Sequence, residues 1–255
     1  MTTAPTAPGR PERPLPVPVA ATRREEGRVL PQLLWRLAPG SRVCSTAVFG
    51  GGIGERRWVL NAQVPAGYRR TDPAAHLAQI AGAAGLRGPG AGLMTAADVS
   101  RATEAHDDGV HAVVTTGLGV RTWAASPAPG APGAPPAGTV NIVVSLPAPL
   151  ADAALVNAVA TATEAKVQAL LDAGLDCSGT PSDAVAVIVP ALAPGRTAEP
   201  FAGPRSRWGA PLARAVHAAV LAGAAADRAD GKSAPGRNVP PARAAQAHPG
   251  RPSER

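Results

Sequence analysis

The residue in this chain with the clearest chemical potential is Lys166, the only lysine between the two tails. Leu150 to Ala173 is expected to be the longest helix. Laid on a wheel at 100° per residue, Leu155, Val156, Val159, Ala160, Thr163, Val167, Leu170 and Leu171 fall on one broad arc, and Asn157, Thr161, Glu164 and Gln168 form a polar stripe opposite. Lys166 falls inside the apolar arc, between Leu155 and Val159. An inward lysine is costly unless paired or neutral. Such an amine serves as a general base, or as a cation stabilising an oxyanion. The competing reading puts it at the edge of the arc, with its stem on apolar surface and its head in water. Glu164 lies roughly 160° away on the same wheel, so a regular helix does not join it to Lys166 as one pair.

Other polar groups cluster at strand ends. Ser178, Gly179, Thr180, Pro181, Ser182 and Asp183 precede an apolar run, Ala184 to Val189. A Ser/Thr/Gly loop ending in Asp presents backbone N–H groups and a carboxylate together, which suits anion or carbonyl binding; the plainer reading is a capped turn. Gly138, Thr139, Val140 and Asn141 open another strand, and Asn61 sits in mid-strand with Gln63 on the same face. His76, His106, His111 and His217 show no metal-ligand spacing, so no metal site is expected. His111, at a strand start, is either a general base or half exposed. Two cysteines, Cys44 and Cys177, make neither a metal site nor a disulfide framework and read as packed thiols. Gly231, Lys232 and Ser233 resemble the end of a phosphate-binding loop, but no strand precedes them.

These groups need a scaffold, and the chain offers one α/β domain. The expected strands are Arg42 to Phe49, Arg57 to Val64, Gly92 to Ala96, Val110 to Thr116, Thr139 to Leu146 and Ala184 to Val189. Glycines 50, 51, 52 and 54 suggest a hairpin between the first two. The expected helices are Asp72 to Ala84, capped by Thr71, the long helix at Leu150, and Arg207 to about Ala225. Without strict βαβ alternation, a mixed sheet packed with helices is favoured. Residues 1–40 read as a mostly disordered Pro/Arg-rich tail, with Val29 to Leu37 a short helix or strand docking onto the domain. The domain proper is 41–225, interrupted by a flexible Pro/Gly loop at 126–137, and 226–255 is a disordered basic tail.

The net charge of +7 lies mostly in the ends. The first 40 residues and the last 33 each carry six basic against three acidic residues, leaving thirteen against twelve between them. A nearly neutral domain lacks the basic face of a nucleic-acid binder. No secretory signal and no stretch of 18 apolar residues is evident, so a cytoplasmic chain with no membrane span is expected.

Taken in order, the clusters resemble one family. Gly138-Thr-Val-Asn-Ile-Val-Val144, then Thr161-Ala-Thr-Glu-Ala-Lys166, then Ser178-Gly-Thr-Pro-Ser-Asp183 are similar to motifs of the adenosylcobinamide amidohydrolases. Supporting matches are Ser45-Thr-Ala47, Asn61, Gly92-Leu-Met-Thr-Ala-Ala-Asp98, Thr116-Gly-Leu118 and Phe201-Ala-Gly203, so the resemblance spans roughly Ser41 to Ala225. The family's loop is usually Thr-Gly-Thr-x-Thr-Asp. Here hydroxyls are kept at Ser178 and Ser182, while Pro181 removes one backbone donor.

The resemblance implies hydrolysis of the aminopropanol amide of adenosylcobinamide. The products would be adenosylcobyric acid and 1-aminopropan-2-ol, a corrinoid-salvage step in cobalamin biosynthesis. It implies a small-molecule corrinoid partner and no cofactor, the cobalt belonging to the substrate. In that frame Lys166, Glu164 and Asp183 form the catalytic centre. Asn61, Thr139, Asn141, Thr163, Ser178, Thr180 and Ser182 hold the carbonyl and the corrin amides. The attacking group is water or a hydroxyl such as Thr139 or Ser45. The alternatives are another small-molecule amidase or peptidase, and a corrinoid-binding protein without catalysis.

Overall fold

β-Branched runs supply the strands and Ala-rich periodic runs the helices, across residues 14–126 and 138–229, the part of the chain that the computed structural model describes. In chain order the strands are β1 (Val19–Glu25), β2 (Arg28–Arg36), β3 (Arg42–Ser45), β4 (Gly52–Glu55), β5 (Trp58–Gln63), β6 (Gly90–Thr95), β7 (Thr103–Asp107), β8 (Val110–Gly117), β9 (Thr139–Ser145) and β10 (Ala184–Val189). The α-helices are α1 (Pro73–Ala83), α2 (Asp152–Asp172) and α3 (Gly209–Ala229), with one turn of 3-10 helix at Val99–Arg101.

The strands form two sheets, ordered β1-β2-β5-β6 and β4-β3-β10-β9-β8-β7. The sheets are mixed: β5–β6 and β9–β10 are parallel pairs and the rest are antiparallel. Alternation along the strands then dictates four layers. Leu33, Trp35, Val59 and Leu93 of the smaller sheet meet Val43, Val113, Val143 and Ile188 of the larger one. The outer face of the smaller sheet, Leu34, Trp58 and Leu60, is covered by Leu77 and Ile80 of α1. The outer face of the larger sheet, including Val114, Ile142 and Val187, is covered by α2 and α3 through Leu155, Leu170, Leu212 and Val216. The expected mixed sheet packed with helices is present, divided into two sheets.

Several elements differ from expectation. The glycine turn does make a hairpin, but it joins β3 to the short β4, and β5 leaves for the other sheet. Residues 19–36, expected to belong to a disordered tail, form the β1–β2 hairpin, with Val29 to Leu37 mostly in β2. β1 is an edge strand with no fully buried residue, and Pro31 lies in β2, so neither carries a strong strand pattern. The segment 226–229, expected in the other tail, continues α3. The expectations for 1–13, 127–137 and 230–255 lie outside the described residues.

Two helix ends set the direction of the chain near the polar clusters. α1 and α2 both close with a glycine in the left-handed region, Gly85 (φ 69°) and Gly174 (φ 71°). After α2 the Leu175 N–H donates to Leu170 O and the Gly174 N–H to Leu171 O, and Leu170 and Leu175 share the core. This is a Schellman turn. It fixes the direction in which the chain enters Cys177 and the loop after it. Among the described residues α3 alone has the length and apolar composition of a membrane span, and half of that stretch is buried inside the protein. Its Arg214 and His217 pair with Asp107 and Asp172. The apolar residues of this helix therefore build core.

Candidate active site

β9 and β10 run parallel, with Ala184 opposite Asn141, so their first residues lie side by side at one end of the larger sheet. Two polar groupings arise there, on opposite faces. On the helix face, Lys166 occupies the buried stripe of α2 with Ala158, Ala162 and Leu170. Its Nζ lies 2.5 Å from Asp183 Oδ2, and the two side chains are only 9% and 12% exposed. Pairing therefore offsets the cost of an inward lysine. Asp183 accepts three further bonds: from Val140 N (2.8 Å) and Thr180 Oγ1 (2.5 Å) at Oδ1, and from Thr180 N (3.1 Å) at Oδ2. Four donor atoms surround the carboxylate, and the single Thr180 hydroxyl proton is shared between it and Gly138 O. Asp183 thus anchors both the lysine and the loop.

The loop folds as a lid over this pair. Gly179 has φ of 148°, and a Cβ on it would overlap both Asp183 Oδ2 and Lys166 Nζ. Only glycine lets the backbone lie this close. Thr180 Oγ1 and Ser182 Oγ also reach Gly138 O, at 2.8 and 2.9 Å. The hydroxyls of Thr139 and Ser182 meet at 2.7 Å, with Ser182 exposed and Thr139 buried. The two amides that reach Asp183 belong to Val140 and Thr180, so the donor missing at Pro181 is not one this carboxylate uses.

On the opposite face, between the sheets, Asn61 Nδ2 donates to Thr115 Oγ1 (3.1 Å). Asn141 Nδ2 donates to Asn61 Oδ1 (2.9 Å) and to Met94 O (3.1 Å). All three side chains are buried, and Asn141 Oδ1 has no partner. A buried amide oxygen without a donor is costly and leaves an acceptor for a further group. β9 joins the two groupings, since Val140 N faces Asp183 while the next side chain, Asn141, enters the seam.

The structure therefore brings Lys166, Asp183, Thr180, Ser182 and Thr139 together, with Asn61 and Asn141 on the far face of the same strand ends. It does not bring in the other three. Glu164 is exposed. Thr163 is exposed too, its hydroxyl donating back to Val159 O. Ser178 is turned to the neighbouring segment, where its Oγ donates to Thr122 O and accepts from Ala124 N. Ser45 Oγ donates to Val185 O and accepts from Ala47 N, which leaves it a structural hydroxyl. Sequence reasoning missed Thr115 and the backbone groups of Gly138 and Val140. Period-two alternation on β8 carried the signal for Thr115, since it shares a face with Val113. Two concave surfaces, of about 290 and 450 Å³, are lined by none of these residues and open beside β1 and β2.

The fold is a four-layer α/β domain with a buried lysine–aspartate pair beneath a hydroxyl-rich loop. Comparison with known proteins gives the family. The sequence model of the adenosylcobinamide amidohydrolases matches residues 18–232, and the chain belongs to that family. The match takes in β1 and β2, which moves the start of the domain from the expected residue 41 to the first strand. An adenosylcobinamide amidohydrolase of Methanosarcina mazei is 30% identical over 179 residues, 68% of this chain and 85% of the relative. One of Halobacterium salinarum is 46% identical over 94 residues, 37% of this chain and 38% of the relative.

Proposed function

We propose that the chain hydrolyses the aminopropanol amide of adenosylcobinamide, releasing adenosylcobyric acid and 1-aminopropan-2-ol for corrinoid salvage. Family membership supports the reaction. The observation that carries the reading of the site is the buried Lys166–Asp183 pair beneath the Gly179 backbone. Lys166 keeps ammonium protons that Asp183 does not take, and it aims them at the oxygen of the scissile carbonyl. As the carbonyl carbon becomes tetrahedral, negative charge develops on that oxygen, and a fixed cation stabilises it more than it stabilises the substrate. The Thr139–Ser182 hydroxyl pair lies beside the same strand ends and orients the amide.

The attacking oxygen comes from water or from the exposed Ser182 hydroxyl. Its proton ends on the departing amine as the carbon–nitrogen bond breaks. A hydroxyl route passes through an ester, which water then cleaves. An early burst of aminopropanol would mark that route, and its absence would mark direct attack by water. Asp183, itself held by Val140 N and Thr180, keeps Lys166 in place. The reaction needs no cofactor, since the cobalt arrives with the substrate. Cys44 and Cys177 are buried free thiols whose pKa values burial raises.

Purified protein incubated with adenosylcobinamide should yield adenosylcobyric acid by mass spectrometry. Cobinamide recovered intact, with binding alone detected, would overturn the enzymatic reading.

A further inference from the structure

At the free edge of the larger sheet, β7 and β8 make a tight hairpin whose turn is Asp108-Gly109, flanked by the pair Asp107 and Val110. Both turn residues have positive φ, 41° and 82°. This is the backbone of a type I′ turn, and Asp-Gly is among its preferred sequences. A two-residue turn allows one register. It sets His106 directly opposite His111, and Glu104, two residues earlier on the same face, diagonal to His111.

The side chains converge. The His106 and His111 rings stack with centroids 4.0 Å apart and planes 4° from parallel. His111 Nε2 lies 2.9 Å from Glu104 Oε2. One ligand atom from each of the three residues falls within 4.8 Å of the others. The rest of the hairpin is clamped. Arg214 of α3 grips the Asp107 carboxylate with two bonds, at 2.5 and 2.8 Å, and Thr103 Oγ1 donates to Ala219 O at 2.7 Å. His111 is 2% exposed and fixed, whereas Glu104 and His106 are exposed and adjust from solvent.

We propose that this hairpin binds one divalent transition-metal ion of the zinc class through Glu104, His106 and His111. Two imidazoles and a carboxylate form a borderline donor set that suits zinc, nickel or copper and disfavours magnesium or calcium. Donors about 2.0–2.2 Å from a tetrahedral ion stand roughly 3.3–3.6 Å from one another. The ligand atoms now lie within 4.8 Å of one another, so the mobile ligands move by up to about 1.5 Å, and His106 turns out of its stack on His111 to aim its lone pair at the ion. The His111–Glu104 hydrogen bond opens, the ion takes its place, and any proton shared there is lost to solvent. Water completes the shell. The ion ties β7, an edge strand, to β8 by side chains as well as backbone.

The site lies apart from the proposed chemistry. His111 pairs with Ser145 at the far end of β9, while Thr115 pairs with Asn141 near Lys166. Sequence spacing hid the site because its geometry comes from a hairpin register, and no helical or Cys-type interval is involved.

The test is calorimetric titration of Zn(II) into the metal-stripped full-length chain, with His106→Ala and Glu104→Gln as variants. Both residues are exposed, so neither change threatens folding. We expect one equivalent of Zn(II) to bind and to raise the melting temperature. Each variant should weaken binding at least tenfold and abolish the rise. No binding by the parent chain, or undiminished binding by both variants, would overturn the proposal.

Discussion

Replacing Lys166 by methionine separates the lysine's chemistry from its packing. Methionine keeps an unbranched apolar stem in the α2 stripe and removes only the ammonium. Breaking a buried ion pair from one side costs about 3–5 kcal/mol when the surviving charge is stranded. Asp183 is not stranded, because Val140 N and both donors of Thr180 remain. What is lost is one charge-assisted bond, worth about 1.5–3 kcal/mol. A loss near 2 kcal/mol results, and for a domain of this size that is a fall in melting midpoint of roughly 4–8 °C. The variant should thus be folded at 25 °C. If Lys166 stabilises the oxyanion, kcat should fall about 10²–10³-fold, with KM for adenosylcobinamide much less affected. Release of 1-aminopropan-2-ol, followed by mass spectrometry under saturating substrate, measures it. A folded Lys166→Met chain with kcat within tenfold of the parent would refute the assignment and make the pair a purely architectural one.

Gly179→Ala puts a methyl group into the space of Lys166 Nζ and Asp183 Oδ2 on a backbone that disfavours side chains. Activity should drop at least tenfold and the urea midpoint should fall; an alanine variant matching the parent in both would show that the loop is not held over the pair. Glu164→Gln, on the exposed side of α2, should leave kcat within about twofold, the size of an ordinary surface change; a large loss would return Glu164 to the chemistry. Burial, opposed by the hydrogen bond to Glu104, holds the pKa of His111 below its ordinary value. The unfolded chain therefore takes up a proton near pH 6.5 that the folded chain resists, so stability is greatest above that pH and falls as pH drops below it. With chelator present, the urea midpoint should fall less between pH 7.5 and 5.5 in His111→Gln than in the parent.

Much of the architecture was readable because its signals are local. β9 and β10 are near-continuous apolar runs, buried on both faces as interior strands require, and β10 has the bounds expected of it. The edge strands β1 and β7 were missed for the converse reason: they alternate between exposed and half-buried residues and carry charge. Charge is how edge strands avoid pairing with other chains, so it also hides them. The second sheet was invisible to any local pattern. Nothing in Trp58–Gln63 tells that it pairs with residues 28–36 and leaves the strand it follows.

The helix wheel shows most clearly where sequence reasoning about the site holds and where it fails. Weighted by Val and Leu, the apolar arc of α2 includes Val156 and Leu171, yet these are 57% and 46% exposed. The buried stripe is instead Ala154, Leu155, Ala158, Thr161, Ala162, Ala165, Lys166, Ala169 and Leu170. Alanine reads as weakly apolar on the wheel. In the fold it lets α2 lie close to α3, whose own buried face includes Ala215, Ala219 and Gly223. Close approach decides the contact here, and bulk does not. Lys166 is buried under both readings because it falls where the two arcs overlap. Thr161 does not, and it moves from the polar stripe to a buried bond with Ala202 O. The partner of Lys166 could not be found on the helix at all. Glu164 was near in sequence and points away, whereas Asp183 arrives from the start of a parallel strand. In this chain the Lys166–Asp183 pair depends on where two strand ends stop, and that is set by the register of β9 against β10.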